Sequence, residues 1–300
     1  MRLPTLKYPF GSARGPAALP SGASPALGSF SNLAGTAYKR HVQSLHEHGD
    51  RRNPDLLAGA LLSPAQREQC LHLQARALDD LRRSPYYHYL TARTKAYDQV
   101  LLDAVAGGIR RVLIMGSGFD TRLYRFGGHL AALGAEVAEC DQPPAMAAKR
   151  QLAAALPYAC RVQYLGIDLN LPDTWAGLLR WLGDGASPAL LIAEGVSPYI
   201  QRTTFTALLE ALPKLLPTGS RVAYDFKLAG VADDFGKGAD VSAPFRLALN
   251  VQAIAELHAG LGYRHTRTTD SRALMRAHVP SWDESVSPLF HEDALVELVC

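Results

Sequence analysis

The stretch RVLIMGSGFDTRLYRF, Arg111–Phe126, holds residues whose types and spacing could do chemistry. An apolar run is followed by two glycines, Gly116 and Gly118, and then by Asp120 and Thr121. Glycine has no side chain, so a ligand can approach the backbone of such a turn closely. Three ligand classes suit a turn of this kind: a dinucleotide, a phosphate group, and a nucleoside without phosphate.

Two of these classes need residues that the stretch lacks. A dinucleotide fingerprint requires a third glycine where this sequence has Thr121. A phosphate-binding loop requires Gly-Lys followed by Ser or Thr, and no such run follows Gly118. A G-x-G pair by itself is also compatible with a tight turn that binds nothing.

Acidic residues end the apolar runs that follow. Glu139 and Asp141, in ECDQP, come about 20 residues after the glycines, where a carboxylate of a doubly wound sheet accepts hydrogen bonds from ribose hydroxyls. Asp168 and Leu169, in GIDLN, suit an adenine, and Glu194, in AEGVSPY, points into the same crevice. This order, with no cation for a pyrophosphate, favours S-adenosylmethionine over NAD. An acid at a strand end can also be only a helix cap.

Alternating patterns predict the elements that position these residues. Five short apolar runs, from RRVLIMGSG to SRVAYDFK, are separated by helical patterns, which predicts an α/β fold with a doubly wound, mostly parallel sheet. Helical periodicity over residues 31–106, with no strand signal, predicts a helical cap. Within it, PAQREQCLHLQARALDDLRR reads as one helical face that starts after Ser63.

The two ends of the chain carry weaker patterns. Residues 1–30, rich in Gly, Pro, Ala and Ser, predict a flexible arm. The runs YRHTRTT and LVELVC, separated by an irregular stretch, predict an antiparallel closing hairpin at a sheet edge, for seven strands in all. Residues 107–300 then form the core, with a substrate lid inserted at about 228–290.

Composition narrows the function classes. Lys and Arg number 31 against 28 Asp and Glu, a net charge of +3, which does not predict nucleic acid or a membrane surface as partner. The four cysteines are far apart and form neither a disulfide framework nor a metal-ligand pattern. No apolar run approaches the roughly 20 residues that cross a bilayer, and the start lacks a signal-peptide pattern. We therefore expect a cytoplasmic protein without a metal. The sequence does not decide between a monomer and a homodimer.

The motifs resemble those of the leucine carboxyl methyltransferase family. RVLIMGSGFDTRLYRF, AECDQP, IDL and AEGVSPYI match its pattern of G-[AS]-G-x-D-[ST]-x-x-x-R-[LF], E-x-D-x-P, D-L and E-G-x-x-x-Y in order and spacing. Upstream, GTAYKRHVQS and YLTARTKAYDQVL are similar to its basic segments. The resemblance covers about Ala34 to Phe226. It implies a class I, Rossmann-like methyltransferase fold and S-adenosylmethionine as methyl donor.

The resemblance also implies roles for single residues. Arg93, helped by Lys39 or Arg40, would pair with the donor carboxylate, and a guanidinium suits that task. The donor-binding residues that it implies are Lys39, Arg40, Arg93, Gly116, Gly118, Asp141, Asp168, Leu169 and Glu194. Asp120 and Arg125 could instead form an ion pair that shapes the glycine turn.

The acceptor end is less determined. A carboxylate acceptor needs no base, whereas a phenol or an alcohol can need one. The candidates near the crevice are Tyr199 and Asp225, with His88 and His278 from the variable parts. Aromatic residues could line an acceptor pocket or only pack the cap onto the sheet; they are Tyr86, Tyr87, Tyr89, Phe235, Phe245 and Trp282.

These residues predict an S-adenosylmethionine-dependent O-methyltransferase of a small molecule, polyketide-like or with a carboxylate or hydroxyl, by in-line displacement. The family's bacterial members include enzymes of this kind, which places the protein in secondary metabolism. Two alternatives remain: a non-catalytic protein that binds S-adenosylmethionine or S-adenosylhomocysteine, and a protein carboxyl methyltransferase. A nicotinamide oxidoreductase is disfavoured by Thr121.

Overall fold

The computed structural model of the protein describes residues 31–156, 160–231 and 243–300. The predicted arm and Phe235 lie outside the described residues. Within them, the α-helices are α1 Ser31–His46, α2 Pro64–Leu71, α3 Ala75–Arg83, α4 Pro85–Ala106, α5 Arg122–Arg125, α6 Gly127–Ala132, α7 Pro143–Ala153, α8 Ala176–Gly183, α9 Arg202–Leu215, α10 Val251–Gly260 and α11 Ser271–His278. The strands are β1 Arg111–Met115, β2 Glu136–Asp141, β3 Val162–Gly166, β4 Ala189–Ala193, β5 Arg221–Leu228, β6 Arg246–Leu247, β7 His265–Asp270 and β8 Asp293–Val299.

The strands form one sheet in the order β3-β2-β1-β4-β5-β8-β7, and the two-residue β6 adds to β5. Strands β1 to β5 are parallel, whereas β8 is antiparallel to both β5 and β7. This confirms the predicted doubly wound sheet with an antiparallel closure, and the two-residue β6 is an eighth strand beyond the seven predicted. The strand order reverses between β1 and β4, so the crevice expected at their carboxyl ends lies beside the glycine turn.

Two helical layers cover the sheet, because neighbouring residues of a strand point to opposite faces. Val112 and Ile114 of β1 pack with α1, α4, α5, α6 and α11, whereas Leu113 and Met115 pack with α8, α9 and α10. Every residue of β1 and β4 is buried. The predicted helical cap therefore forms part of one of these two layers.

The structure corrects two predictions of local structure. The pattern read as one helical face is split into α2 and α3, although α2 begins as predicted with a Ser63 cap and a capping box to Gln66. The stretch expected to be irregular between the closing strands contains α11. No local signal predicts the split of the first pattern or the helix in the second, because each is set by distant packing partners. The closing strands form an antiparallel pair at one edge of the sheet, as predicted, with β7 outermost and β8 between β5 and β7.

Within the range of the predicted lid, about 228–290, the described residues include β7, which forms one edge of the sheet, and α10, which packs on β7. The lid itself stays a prediction. None of the helices in the described ranges is long and apolar enough to span a membrane.

Candidate active site

The glycine turn follows β1. Gly116 and Gly118 have φ of 57° and 42°, which side-chain-bearing residues rarely adopt. A Cβ added at Gly116 would lie 2.5 Å from Cγ2 of Val196, in the segment after β4. The Gly118 N–H donates to Oδ2 of Asp141 over 2.7 Å. A carboxylate at the end of β2 thus fixes the turn after β1.

A chain of hydrogen bonds extends from this turn to the loop after β3. Asp141 also accepts from the Gln142 N–H over 2.7 Å, and the Gln142 side chain donates to Asp168 over 3.1 Å. Burial raises the pKa of Asp141, although its two backbone donors oppose the shift. Leu169, beside Asp168, is buried. The structure brings these predicted residues to one edge of the sheet, and their contact with a donor stays a prediction.

We expect Gly116→Ala to destabilise the protein for two reasons. The left-handed φ costs about 1 to 2 kcal/mol for a residue with a side chain, and the contact with Val196 adds about 1 to 3 kcal/mol. Thermal unfolding checks this against Gly134→Ala, where φ is 65° and no heavy atom lies within 4 Å of the added Cβ. Equal losses in the two variants would show that the Val196 contact costs nothing.

Glu139 is an internal ion-pair residue rather than a second strand-end ligand. Its Oε2 lies 2.8 Å from Nζ of Lys149 on α7, and both side chains are fully buried. Lys149 also donates to the carbonyl of Ser117 in the glycine turn over 3.5 Å. Burial raises the pKa of Glu139 to about 7, and Lys149 limits that rise. The pair joins α7 to β2 below the turn.

Arg93 on α4 faces three buried carboxylates, from Glu194, Asp225 and Asp293, which we call the carboxylate cluster. Its Nε lies 3.1 Å from Oε1 of Glu194, and its Nη1 lies 3.2 Å from Oδ2 of Asp225 and 3.8 Å from Oδ2 of Asp293. Burial raises the pKa of Asp225 to about 7, although Arg93 favours its charged form. In contrast, Arg122 and Arg93 lower the pKa of Glu194 despite its burial.

An aromatic wall of Tyr86, Tyr89 and Phe290 lies against Arg93. The Arg93 guanidinium donates to the Tyr86 hydroxyl over 2.9 Å and lies 5.6 and 5.9 Å from the ring centroids of Tyr86 and Tyr89. Phe290 packs on both tyrosines, with centroids 5.3 and 4.6 Å away. Of the predicted aromatic residues in the described ranges, the structure thus brings Tyr86 and Tyr89 together at Arg93.

The other predicted aromatic residues pack elsewhere. Tyr87 donates to Glu47 over 3.1 Å. Phe245 packs against Phe205, with centroids 4.8 Å apart, and Trp282 donates to the carbonyl of Ser287 over 3.1 Å. These contacts fit the alternative of ordinary packing.

The ion pair between Asp120 and Arg125, one of the two alternatives left open for these residues, is not what the structure shows. Asp120 pairs with Arg122, which also lies 3.0 Å from Asp98 and 2.7 Å from Glu194 and is fully buried. Arg125 instead holds Asp98 through two hydrogen bonds of 2.6 and 2.7 Å. Asp98 lies on α4, five residues after Arg93, so this network links the glycine turn to the helix that carries Arg93.

Lys39 and Arg40 have different surroundings. Arg40 donates to the carbonyl of Phe119 over 2.8 Å and lies 3.4 Å from Asp55, so it braces the glycine turn. Nζ of Lys39 lies 5.1 Å from the ring centroid of Tyr86, and burial lowers its pKa. Lys39 has no carboxylate partner within the part of the chain that the structure describes, which leaves it the freer of the two to meet a ligand.

The four candidate bases lie in different parts of the structure. Tyr199 ends a short helical turn after β4, and burial raises its pKa while Arg93 opposes the shift. His88 lies near Glu47 and Arg51, and His278 lies near Lys95 and Asp98. Burial lowers the pKa of both histidines. The structure places Asp225 in the carboxylate cluster and neither histidine beside it.

Sequence reasoning missed Asp293 and Lys227. Nζ of Lys227 lies 2.8 Å from Oδ1 of Asp293 and 2.9 Å from Oε2 of Glu292. Lys227 and Asp293 are directly opposite in the antiparallel β5–β8 register. Asp225 and Lys227 are two residues apart on β5, so their side chains lie on the same face of the strand. Only the pairing of β5 with β8 shows that Lys227 meets Asp293.

Comparison with known proteins supports this arrangement of motifs. Residues 34–213 match the sequence model of the leucine carboxyl methyltransferase family, which is more than half of the chain. The chain belongs to the leucine carboxyl methyltransferase family.

Curated relatives of this family member include mycobacterial proteins. A Mycobacteroides abscessus protein, named as a candidate S-adenosyl-L-methionine-dependent methyltransferase, is 35% identical over 199 residues, 63% of this chain and 62% of its own length. A Mycobacterium avium protein of the same name is 34% identical over 180 residues, 59% of this chain and 56% of its own length. The chain thus spans about three fifths of the length of the curated relatives that it matches.

A solved structure supports the fold. A protein from Thermobifida fusca, described as a candidate methyltransferase, superposes with a TM-score of 0.52 at 14% identity, covering 83% of this chain and 95% of that one. At this identity the likeness concerns the fold alone.

The matched residues include only part of the candidate site. All predicted donor residues and Tyr199 lie within 34–213, whereas Asp225, Lys227 and Asp293 follow it. Among the residues that the structure describes, no group of three or more His, Cys, Asp or Glu side chains is arranged to hold a metal ion.

Proposed function

We propose that this family member is an S-adenosylmethionine-dependent methyltransferase that methylates an oxygen of a small molecule. The observation that carries the proposal is the row of groups along one sheet edge: the glycine turn held by Asp141, then Asp168, then Arg93 with Glu194. Bound there, S-adenosylmethionine supplies a methyl group activated by its sulfonium. The names of the mycobacterial relatives support the same activity.

The residues present fit this donor. A side chain at Gly116 would clash with Val196, so this glycine lets the turn pack closely against the segment after β4. Each carboxylate oxygen has two acceptor sites. In Asp141, each oxygen uses one of these sites to accept a hydrogen bond from a backbone N–H. It can therefore also accept from ribose hydroxyls.

Arg93 and Glu194 suit the amino-acid end of the donor. Arg93 would bind its carboxylate with help from Lys39, and Glu194 would bind its ammonium. Asp293 makes the longest of the three contacts to Arg93, at 3.8 Å, so it is the partner most easily exchanged for a ligand carboxylate. Tyr199 and Asp225 lie on the acceptor side of the proposed reaction.

Calorimetric titration tests the proposal. S-adenosylmethionine and S-adenosylhomocysteine should bind at micromolar concentration and NADH should not. Turnover with an acceptor would then separate an enzyme from a binding protein that has lost its activity. If neither nucleoside binds, the match describes a fold without a donor site.

Asp141→Asn should weaken binding of S-adenosylhomocysteine by about 1 to 3 kcal/mol, the cost of losing a charged hydrogen-bond partner. The same titration measures the effect. Asp184→Asn is the matched control, because Asp184 is exposed after α8, before the opposite, amino end of β4. Unchanged affinity in Asp141→Asn would place the ribose elsewhere.

A further inference from the structure

The chain after β4, residues 195–201, is held at both of its ends, and we call it the β4 segment. At its start, the Gly195 N–H donates to Oδ1 of Asp225 over 2.6 Å, and the Ser197 hydroxyl donates to the Asp225 carbonyl over 2.8 Å. The Asp225 side chain in turn lies 3.2 Å from Arg93. The start of the β4 segment is therefore fixed to the residues where the amino-acid end of the donor is proposed to bind.

The side chain of Asn170, in the loop after β3, holds the end of the β4 segment. Its Nδ2 donates to the Tyr199 carbonyl over 2.8 Å, and its Oδ1 accepts from the Gln201 N–H over 3.0 Å. One side-chain amide thus pairs with a backbone acceptor and a backbone donor, as the backbone of a neighbouring strand does. On the other side, the Ile200 carbonyl accepts from the Phe245 N–H over 3.3 Å. Asn170 is therefore the link between the end of the β4 segment and the loop after β3.

The backbone of Asn170 is tied to the carboxylate that is expected at the adenine. Its N–H donates to Oδ1 of Asp168 over 2.9 Å, and Oδ2 of Asp168 accepts from Gln142 over 3.1 Å. Each oxygen of Asp168 keeps a second acceptor site, so a ligand amine can bind this carboxylate without breaking either contact. A ligand at Asp168 therefore acts one hydrogen bond away from the residue that holds the β4 segment.

We propose that Asn170 is a positioning residue through which a bound donor fixes the β4 segment, and with it Tyr199 on the acceptor side. The inference rests on the proposed function and adds a coupling between its two sides. A donor with its adenine at Asp168 and its carboxylate at Arg93 spans the two attachment points of the β4 segment. It fixes the distance between them, and because coupling between sites is reciprocal, a fixed segment strengthens donor binding by the same factor.

A purely structural Asn170 would behave differently. Its two side-chain hydrogen bonds would then hold the β4 segment equally well with and without a donor. Loss of the side chain would make the segment open more often, but a bound donor would leave that opening unchanged. The effect of a donor on the opening of the segment therefore separates a positioning role from a structural one.

Amide hydrogen exchange at Gln201 measures this opening, because its N–H is the group that donates to Asn170. Mass spectrometry of overlapping peptides over residues 197–205 follows the exchange with and without saturating S-adenosylhomocysteine. In the unmodified protein, S-adenosylhomocysteine should slow the exchange at least about fivefold, the low end of ordinary coupling between two sites. In Asn170→Ala it should slow the exchange less than about twofold and should bind at least about fivefold more weakly.

Two further variants complete the experiment. Asn250→Ala is the matched control, because the Asn250 side chain also accepts from a backbone N–H, that of Ala253 over 3.0 Å, but at the start of α10. It should keep the affinity and the slowing of the unmodified protein. Asn170→Asp keeps an acceptor for the Gln201 N–H and loses the donor to the Tyr199 carbonyl. Both of its effects should lie between those of the alanine variant and the unmodified protein, and it replaces the alanine variant if that variant does not fold.

The outcomes distinguish the two proposals. If S-adenosylhomocysteine does not bind the unmodified protein, the proposed function fails and this inference fails with it. If it binds without slowing exchange at Gln201, or slows it equally in Asn170→Ala, this inference alone fails. Equal losses of affinity in Asn250→Ala and Asn170→Ala would also overturn the assignment to Asn170.

Discussion

Arg122→Met should lower the free energy of unfolding by about 3 to 5 kcal/mol, the range for removing one partner of a buried ion pair. Arg122 is fully buried and contacts the carboxylates of Asp98, Asp120 and Glu194 as well as the carbonyl of Thr94. Methionine fills much of the volume but leaves these acceptors without their common cation. Urea unfolding followed by circular dichroism measures the loss.

Two further variants complete this experiment. Arg272→Met removes an arginine whose pair with Glu284 is exposed, so we expect no measurable change. Arg122→Lys retains the charge but cannot reproduce a planar guanidinium that reaches several acceptors. Its free energy of unfolding should fall between those of the other two variants. It also provides a folded protein if the methionine variant does not fold. An Arg122→Met protein as stable as the unmodified one would show that the network contributes nothing to folding.

Lys149→Met should cost about 3 to 5 kcal/mol at high pH, again because one partner of a fully buried pair is removed. The loss should depend on pH through Glu139. Burial raises the pKa of Glu139 from 4.5 to about 7. Its stabilising contribution is therefore complete below about 4.5 and is lost as the pH rises through about 7.

Lys149 opposes this rise in pKa, so its removal moves the pKa of Glu139 higher. At about pH 6 the carboxyl group of the variant is protonated and the cost is small. At about pH 8.5 Glu139 is ionised in the unfolded chain, so folding must either take up a proton or bury the charge without a partner, and the cost is larger. Unfolding midpoints at the two pH values check the difference. Lys214→Met, which removes an exposed i,i+4 pair with Glu210, should show no measurable change at either pH. A loss independent of pH would mean that Glu139 is not the group concerned.

The donor side of the site could be predicted because it follows from local order along the chain. A parallel sheet brings strand ends to one edge, so Gly116, Asp141, Asp168 and Glu194 were expected there before any coordinates. Their hydrogen-bonded connection through Gln142 agrees with that rule. Their roles as ligands are what the resemblance implies, and they stay a prediction.

The acceptor side could not be predicted in the same way. Asp293 meets Lys227 only because β8 inserts antiparallel beside β5, and the sequence pattern predicts a closing hairpin without showing which strand it pairs with. The partner of Asp120 was also missed, because the difference between Arg122 and Arg125 depends on how the first turn of α5 is oriented. Contacts fixed by distant parts of the chain leave little trace in local spacing.

The position of β8 bears on the order in which the protein assembles during synthesis. β8 is the last of the described strands along the chain, yet it lies between β5 and β7. Both neighbours keep an unpaired edge until Asp293–Val299 has emerged and inserted, and exposed strand edges favour aggregation. The same insertion delivers Asp293 to Arg93 and Lys227. A nascent chain can therefore form its glycine turn early, but its sheet and the contacts of Asp293 with Arg93 and Lys227 are completed together, in one late step.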